Sequence, residues 1–143
     1  MSKIVAICGK FDPLHNGHLD HIIKASKLGD YLLIITHTDE MVARTSNKGV
    51  CFVPFWARKL ILEGVMMRLG IQGNVILSID TDGTVTETVK KYRPNILAKG
   101  GDRTPENMPD NEIAGCEEVG CEIVYGVGDL LNSSSDIVRR GNE

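Results

Sequence analysis

Apolar residues of this chain fall into short continuous runs, and several of the segments between the runs repeat with the period of a helix. The runs Ile4–Cys8 and Tyr31–Thr36 are typical of strands that are buried on both faces of a parallel sheet. After the first run, Leu19, Ile22 and Leu28 have the spacing of a helix with one apolar face. The pattern therefore predicts strands that alternate with helices.

Five strands are predicted in this way, at Ile4–Cys8, Tyr31–Thr36, 75–79, Ile96–Ala98 and 122–125. Helices are predicted after the first strand and at Phe55–Leu69, 85–92, 111–119 and 135–140, and residues 38–50 are predicted to form a loop with a helical turn. Strands joined through helices form parallel sheets with right-handed crossovers. The expected fold is α/β, a single Rossmann-like doubly wound domain with a five-stranded parallel sheet over residues 1–143.

Composition and charge narrow the class of protein. The 143 residues are 42% apolar and 24% charged, which is ordinary for a globular domain, and the net charge of −3 argues against a nucleic-acid binder. No apolar run approaches the roughly 20 residues that span a bilayer, and no signal peptide precedes the first strand. We therefore expect a cytoplasmic protein that binds no membrane, whose four cysteines remain thiols and serve packing.

The stretch between the first strand and the first helix carries the clearest chemistry. It contains His15 and His18, three residues apart at a helix start, with Gly9 and Gly17 beside them. A helix N-terminus offers unpaired N–H groups and a partial positive charge, which suits a phosphate. Glycine lets the backbone approach a ligand closely. The two histidines therefore predict a phosphate clamp, a name kept below for this pair.

Other candidate residues follow the carboxyl ends of further strands, where open α/β sheets bind ligands. Asp39 follows the second strand, Lys99 and Asp102 follow the fourth, and Ser133, Ser134 and Ser135 follow the fifth. Two candidates, Asp12 in the loop after the first strand and the serine cluster, keep a second interpretation. Asp12 can simply cap its own turn, and the serine cluster can simply cap the last helix.

The motif His15-Asn16-Gly17-His18 resembles that of the H-x-G-H nucleotidyltransferases, which include glycerol-3-phosphate cytidylyltransferase and pantetheine-phosphate adenylyltransferase. These enzymes join a nucleotide to a phosphorylated acceptor and release pyrophosphate. Lys99-Gly100-Gly101-Asp102, together with residues 113–115, resembles the nucleotidyltransferase part of the heptose-phosphate adenylyltransferases of lipopolysaccharide core biosynthesis. That resemblance covers nearly the whole chain, without a kinase domain. It departs at Cys8-Gly9-Lys10, where those enzymes have Asn-Gly-Cys, and at Leu131-Asn132, where the family has an arginine.

The resemblance implies roles for individual residues. The implied catalytic residues are His15, His18 and Lys48. The implied nucleotide-binding residues are Gly9, Lys10, Phe11, His15, Gly17, His18, Asp102, Ser133, Ser134 and Ser135, and the implied acceptor-binding residues are Asp12, Asp39, Arg58 and Lys99. No set of carboxylates suggests a metal held by the protein, so Mg²⁺ is expected to arrive with the nucleotide. A homodimer is expected by the same resemblance.

The resemblance favours ATP over CTP, with base selection by backbone groups of residues 126–129, and a sugar phosphate such as heptose 1-phosphate as acceptor. Glycerol 3-phosphate with CTP, and FMN with ATP, remain open as alternative substrate pairs. A non-catalytic nucleotide-binding module is the alternative from another class of protein.

Overall fold

A computed structural model describes residues 2–128 of the chain. Their strands form one five-stranded sheet: β1 (Ile4–Cys8), β2 (Tyr31–Thr36), β3 (Gly73–Leu77), β4 (Ile96–Ala98) and β5 (Glu122–Val124). The strands pair in the order β3-β2-β1-β4-β5, and every pair is parallel. The predicted α/β fold with a five-stranded parallel sheet is confirmed.

Helices connect the strands and lie on both faces of the sheet. They are α1 (Asn16–Ser26), α2 (Asp39–Thr45), α3 (Phe55–Leu69), α4 (Thr86–Tyr92) and α5 (Asp110–Val119). Helix α3 ends where Gly70 adopts a left-handed conformation with φ of 70°, as its glycine predicted. The helix predicted over 135–140 lies outside the described residues.

Two elements differ from the prediction by more than one residue at a boundary or in kind. Strand β3 begins at Gly73 rather than at residue 75, because Gly73 pairs with Leu32 although it has no apolar side chain to mark a strand. A Cβ at Gly73 would lie 2.2 Å from the carbonyl oxygen of Leu32. Residues 38–50 contain a helix of two turns, α2, whose first turn is capped by Thr38 Oγ1 accepting the N–H of Met41 at 3.2 Å.

The core has two parts, one on each face of the sheet, and alternate residues of β1 divide between them. Val5 and Ile7 pack with α1 and α3 in one cluster, whereas Ala6 packs with α4 and α5 in the other. Because both faces are covered, the central strands are apolar without interruption. Within residues 2–128, no helix is both long enough and apolar enough to cross a membrane.

Strand β1 is the centre of the sheet and pairs with β2 on one side and β4 on the other. The connections run outward from β1 in both directions, so a crevice opens at the carboxyl ends of β1 and β4. Such a topological switch point is where open α/β sheets bind their ligands. The phosphate clamp and the Lys99 loop both begin at this crevice.

Candidate active site

A cleft of about 630 Å³ lies at the carboxyl ends of β1 and β4. Most of the predicted site residues line it, namely Gly9, Lys10, Phe11, Asp12, His15, Gly17, His18, Lys48, Lys99 and Asp102. All four histidines of the chain are among its walls, since His21 and His37 line it as well. The fold therefore brings the first loop, the Lys48 segment and the Lys99 loop together around one space.

The two histidines of the phosphate clamp hold each other through the start of α1. His15 is the N-cap residue, and its Nδ1 accepts the N–H of Gly17 at 3.1 Å. The Nδ1 atom of His18 accepts the N–H of His15 at 3.2 Å, which completes a capping box. A ring nitrogen that accepts an N–H carries no proton. Each neutral ring therefore carries its proton on Nε2 and offers an N–H donor there.

The ring positions are fixed by packing beneath them. The two imidazoles stack with centroids 3.7 Å apart at 23°, and Phe11 meets the His18 ring edge-on at 4.9 Å. Phe11 is 2% exposed, so its side chain supports the clamp from the core. A Cβ at Gly9 would lie 3.0 Å from the Phe11 ring, which explains the glycine at that position.

Both histidines of the clamp are kept neutral. Burial, followed by the positive charge of Lys48, lowers the pKa of His15. Burial, followed by repulsion from His15 and His21, lowers the pKa of His18 to about 3. At neutral pH the clamp consists of two Nε2–H donors with no net charge of their own, so the positive charge beside them comes from Lys10 and Lys48.

Sequence reasoning missed His21 and His37 as residues of the site. His21 donates from Nδ1 to the carbonyl oxygen of Val127, and burial lowers its pKa although this bond opposes the shift. His37 is buried, and burial followed by repulsion from Lys10 lowers its pKa. The signals were present, since His21 lies one helical turn after His18 and His37 directly follows β2.

Two lysines face each other across the mouth of the first loop. Lys10 Nζ donates to the carbonyl oxygen of Thr45 at 2.7 Å, at the end of α2. Lys48 Nζ lies 3.4 Å from the carbonyl oxygen of Asp12 and 5.3 Å from the centroid of the Phe52 ring. Burial, followed by the nearby Lys48, lowers the pKa of Lys10. Because the two ammonium groups repel each other, an anion bound between them would be stabilised by both.

Asp12 anchors the segment after Lys48. Its two carboxylate oxygens accept the N–H groups of Phe52 and Val53 at 3.0 and 2.6 Å, 40 residues or more along the chain. It lines the cleft but is only 4% exposed. The structure thus shows Asp12 joining the first loop to the 52–53 segment rather than capping its own turn, and its acceptor-binding role stays a prediction.

Arg58 and Asp39, which the resemblance predicts to bind the acceptor, form an ion pair with each other in the structure. Neither lines the cleft, and Arg58 is 1% exposed. All five N–H donors of the guanidinium are used internally: Nε on Val53 O, Nη1 on Lys10 O and Thr36 Oγ1, and Nη2 on His37 O and Asp39 Oδ1. A guanidinium with no donor left cannot bind a phosphate without dismantling these bonds. Asp39 also accepts the N–H of Phe55 at 2.8 Å, so the pair joins the carboxyl end of β2 to the start of α3.

The opposite wall of the cleft carries Lys99, which is 6% exposed and donates to Cys8 Sγ at 3.3 Å. Burial disfavours its ammonium form, but the proximity of Cys8 and Glu112 outweighs burial, and the pKa of Lys99 is raised. Glu112, at the start of α5, is 5% exposed in the same wall. Asp102 lies on the exposed Lys99 loop at the rim. Glu112 was not singled out from the sequence.

The segment after β5 also reaches the cleft. Gly128 has φ of 105°, and a Cβ there would lie 3.1 Å from the Cα of His21. Glycine therefore allows this backbone to pass directly over α1. Val127 and Gly128 line the cleft. Asp129 and the cluster Ser133, Ser134 and Ser135 lie outside the described residues.

The carboxylates and histidines of the cleft do not converge as metal ligands. Among residues 2–128, no group of three His, Cys, Asp or Glu side chains is arranged to hold a metal ion. The fixed charge of the clamp side of the cleft comes from Lys10 and Lys48, which suits an anion that brings its own cation.

A family model described as Cytidylyltransferase-like matches residues 6–140 of the chain. The chain is 35% identical over 122 residues to "Bifunctional protein HldE" of Actinobacillus pleuropneumoniae serotype 5b (strain L20), an alignment that covers 82% of the chain and 22% of that protein. It is 36% identical over 117 residues to the protein of the same name from Vibrio vulnificus (strain YJ016), again with 82% and 22% covered. The chain thus spans about a quarter of the length of the curated relatives it matches.

Solved structures share the fold. One is the lipopolysaccharide core biosynthesis protein from Thermoplasma volcanium GSS1, with a TM-score of 0.67 and 23% identity over 90% of this chain and 98% of that one. Another is a bifunctional NMN adenylyltransferase/ADP ribose pyrophosphatase from Francisella tularensis, with a TM-score of 0.67 and 19% identity over 99% of this chain and 42% of that one.

Proposed function

Because the chain belongs to the cytidylyltransferase-like family and is an enzyme of the nucleotidyltransferase type, we propose that it transfers AMP from ATP to the phosphate of a sugar phosphate. The observation that carries the proposal is the phosphate clamp, whose two Nε2–H donors stand at a helix N-terminus in a lysine-lined cleft. A non-catalytic nucleotide-binding module would not require this concentration of preorganised donors.

The reaction needs positioning and charge stabilisation more than proton transfer. An oxygen of the acceptor phosphate forms a bond to the α-phosphorus of ATP, the bond from that phosphorus to the α,β-bridging oxygen breaks, and the electron pair leaves on pyrophosphate. The nucleophile is already an anion at neutral pH, so no general base is required. The barrier comes from bringing two polyanions together and from charge that grows on the leaving group.

We assign the charge stabilisation to the clamp and to Lys48. His18 and the positive end of the α1 helix dipole hold the α-phosphate, while His15 and Lys48 stabilise the β- and γ-phosphates as they leave. The neutral state of both histidines favours this assignment, because a fixed N–H donor needs no change in protonation during the reaction. Lys10, which faces Lys48 across the first loop, adds a second ammonium group to this end of the cleft.

The nucleotide enters this scheme as its magnesium complex. The cleft fits that form, because its clamp side supplies cations and N–H donors rather than a set of metal ligands. We propose ATP as the nucleotide, with base selection by the backbone near Val127 and Gly128, which line the cleft. Asp102 at the rim, and the serines 133–135, remain proposed nucleotide-binding residues.

A sugar phosphate such as heptose 1-phosphate is the proposed acceptor, by the similarity to the HldE proteins. Lys99, buried in the wall opposite the clamp, is its proposed anchor. This assignment would place the chain in lipopolysaccharide core biosynthesis. Glycerol 3-phosphate with CTP and FMN with ATP are the alternative substrate pairs. They remain alternatives because Lys10, in the first loop of the cleft, replaces the cysteine of the heptose enzymes, and a change there can alter which acceptor binds.

We also propose that residues 1–143 act as one domain in the cytoplasm, where nucleoside triphosphates are made, and that the chain forms a homodimer. Large apolar side chains of α3 support the homodimer, because Leu60 is 64% exposed and Met67 is 82% exposed. Sedimentation of the purified chain tests this assembly.

Pyrophosphate release with a panel of substrates tests the function. ATP and CTP, each with Mg²⁺, are combined with sugar 1-phosphates, glycerol 3-phosphate and FMN. The proposal predicts release that requires both ATP and a sugar phosphate. Faster release with CTP would replace the adenylyl assignment, and the absence of release from every pair would contradict nucleotidyl transfer.

A further inference from the structure

Glu112 is a carboxylate in the wall of the cleft that no part of the mechanism uses. It occupies the third position of α5 and is 5% exposed. One oxygen, Oε1, accepts the N–H of Val85 at 3.1 Å, at the start of α4. Within the part of the chain that the structure describes, Oε2 has no hydrogen-bond donor. Glu112 lines the cleft, and no buried side-chain atom of the described residues lacks a partner, so Oε2 is open to the cleft and can accept a hydrogen bond from a ligand there.

Lys99 lines the same cleft and has N–H donors that are not used within the described residues. Its ammonium group carries three N–H donors, and the bond recorded for it is to the thiol of Cys8, a weak acceptor. No ion pair within 4.0 Å joins Lys99 to Glu112, although the structure describes both residues. The wall therefore presents an ammonium group and a carboxylate oxygen that lie near enough to interact electrostatically but form no direct ion pair.

We propose that Glu112 and Lys99 form a subsite that reads hydroxyl groups on the acceptor. A hydroxyl group can donate to the carboxylate and accept from the ammonium group, so a polyol provides hydrogen-bond partners for both side chains at once. A second anionic group would be repelled by Glu112, and an apolar tail would leave both charges without partners. The inference rests on the proposed function, since it assigns the part of the acceptor that lies beyond its reacting phosphate.

A purely structural role for Glu112 accounts for only half of its carboxylate. The Oε1 bond ties α5 to α4, and a neutral amide oxygen would serve that purpose equally well. The second oxygen, on a side chain that lines the cleft, is the part that a ligand can bind.

The substitution Glu112→Gln separates the two roles. Glutamine keeps the shape and one carbonyl oxygen for the N–H of Val85, but it replaces the other oxygen with an amide donor. The control is Glu117→Gln, an exposed position on the same helix. Probes are glucose 1-phosphate, mannose 1-phosphate and glycerol 3-phosphate, with cyclohexyl phosphate as a matched acceptor that has no hydroxyl groups.

Pyrophosphate release gives kcat and KM for each probe at saturating ATP, and the KM of ATP is measured with the probe in excess. For the best hydroxylated probe, Glu112→Gln should raise the KM of the acceptor by about tenfold or more, the scale of one misplaced hydrogen bond. The KM of ATP should stay within about twofold. The preference of the wild-type enzyme for that probe over cyclohexyl phosphate should shrink by the same factor. An unchanged preference in Glu112→Gln would overturn the proposal.

A binding measurement keeps this result separate from the outcome of the proposed function. If no acceptor releases pyrophosphate, the proposed function fails, and calorimetric titration of the same probes into wild type and Glu112→Gln still decides the subsite. Weaker binding of the hydroxylated probes to Glu112→Gln alone supports it. Equal binding to both proteins, or no binding of any hydroxylated probe to the wild type, contradicts it.

Discussion

Substituting His18 with asparagine and with glutamine tests the clamp atom by atom. The Nδ1 atom of His18 accepts the N–H of His15, whereas its Nε2–H is the donor proposed for the α-phosphate. Asparagine places an oxygen near the Nδ1 position and offers nothing at Nε2. Glutamine can place an amide N–H near the Nε2 position, and in that orientation its single oxygen no longer accepts the N–H of His15. The two variants thus remove opposite halves of one side chain.

The expected magnitudes follow from these contacts. Losing one preorganised donor to the transition state costs about 3–4 kcal/mol, so His18→Asn should lower kcat by roughly 10²- to 10³-fold. It should keep the free energy of unfolding close to the wild-type value because the capping bond survives. His18→Gln should lose about 1 kcal/mol of stability, the typical value of a cap, while its kcat falls less than that of His18→Asn.

Steady-state pyrophosphate release and urea unfolding measure the two quantities on the same protein preparations. The expected result is a crossed pattern, in which the more stable variant is the less active one. His18→Ala, which removes both halves, should combine the losses. Near-normal turnover in His18→Asn, or greater activity in His18→Asn than in His18→Gln, would refute the assignment of Nε2 as the donor.

Three further predictions concern charge. Lys48→Ala should lower kcat more than it weakens ATP binding, because the charge that Lys48 stabilises grows in the transition state; a change in KM alone would make it a uniform binder. Arg58→Met should lower the free energy of unfolding by about 3 kcal/mol or more, since it removes the five hydrogen bonds of a buried guanidinium and takes away the donor of the His37 carbonyl oxygen. The exposed Arg68→Met on the same helix should change it by less than about 0.5 kcal/mol, and equal losses in urea unfolding of the two variants would contradict this prediction. The pKa of His18 is lowered from 6.5 to about 3, so between these pH values the unfolded chain binds a proton that the folded chain does not, and the free energy of unfolding should fall as the pH falls. Urea unfolding from pH 7.5 to pH 4.5 should show this slope, with a smaller slope in His18→Asn, and an identical slope in both proteins would contradict the prediction.

The strands were predictable because burial on both faces leaves a continuous apolar run, and this signal does not depend on the rest of the fold. Strand β3 shows the limit, because its first residue is Gly73, which belongs to the strand through its pairing with Leu32 rather than through its side chain. The position of the site was predictable for a topological reason, since parallel strands bring their carboxyl ends to one edge.

The roles of single charged residues were less predictable. The sequence shows that Arg58 is an arginine near a family motif, but it does not show that the ends of β1 and β2 consume every guanidinium donor. Glu112 is the reverse case. In the sequence, Glu112 looks like any glutamate in the first turn of a helix. The packing of α5 against α4 is what buries it in the wall of the cleft. For Arg58 and for Glu112, the role depends on which hydrogen-bonding atoms are already occupied by segments distant in the sequence.

The most direct test of the account is to follow the acceptor oxygen into the product. The sugar phosphate that supports pyrophosphate release is labelled with oxygen-18 in its phosphate and incubated with ATP and Mg²⁺, and the products are resolved by mass spectrometry and ³¹P NMR. Attack of the acceptor phosphate on the α-phosphorus predicts unlabelled pyrophosphate and a nucleoside diphosphate sugar whose P–O–P bridge carries the label. Release of ADP or orthophosphate, or a product whose bridge lacks the label, would contradict nucleotidyl transfer by this cleft.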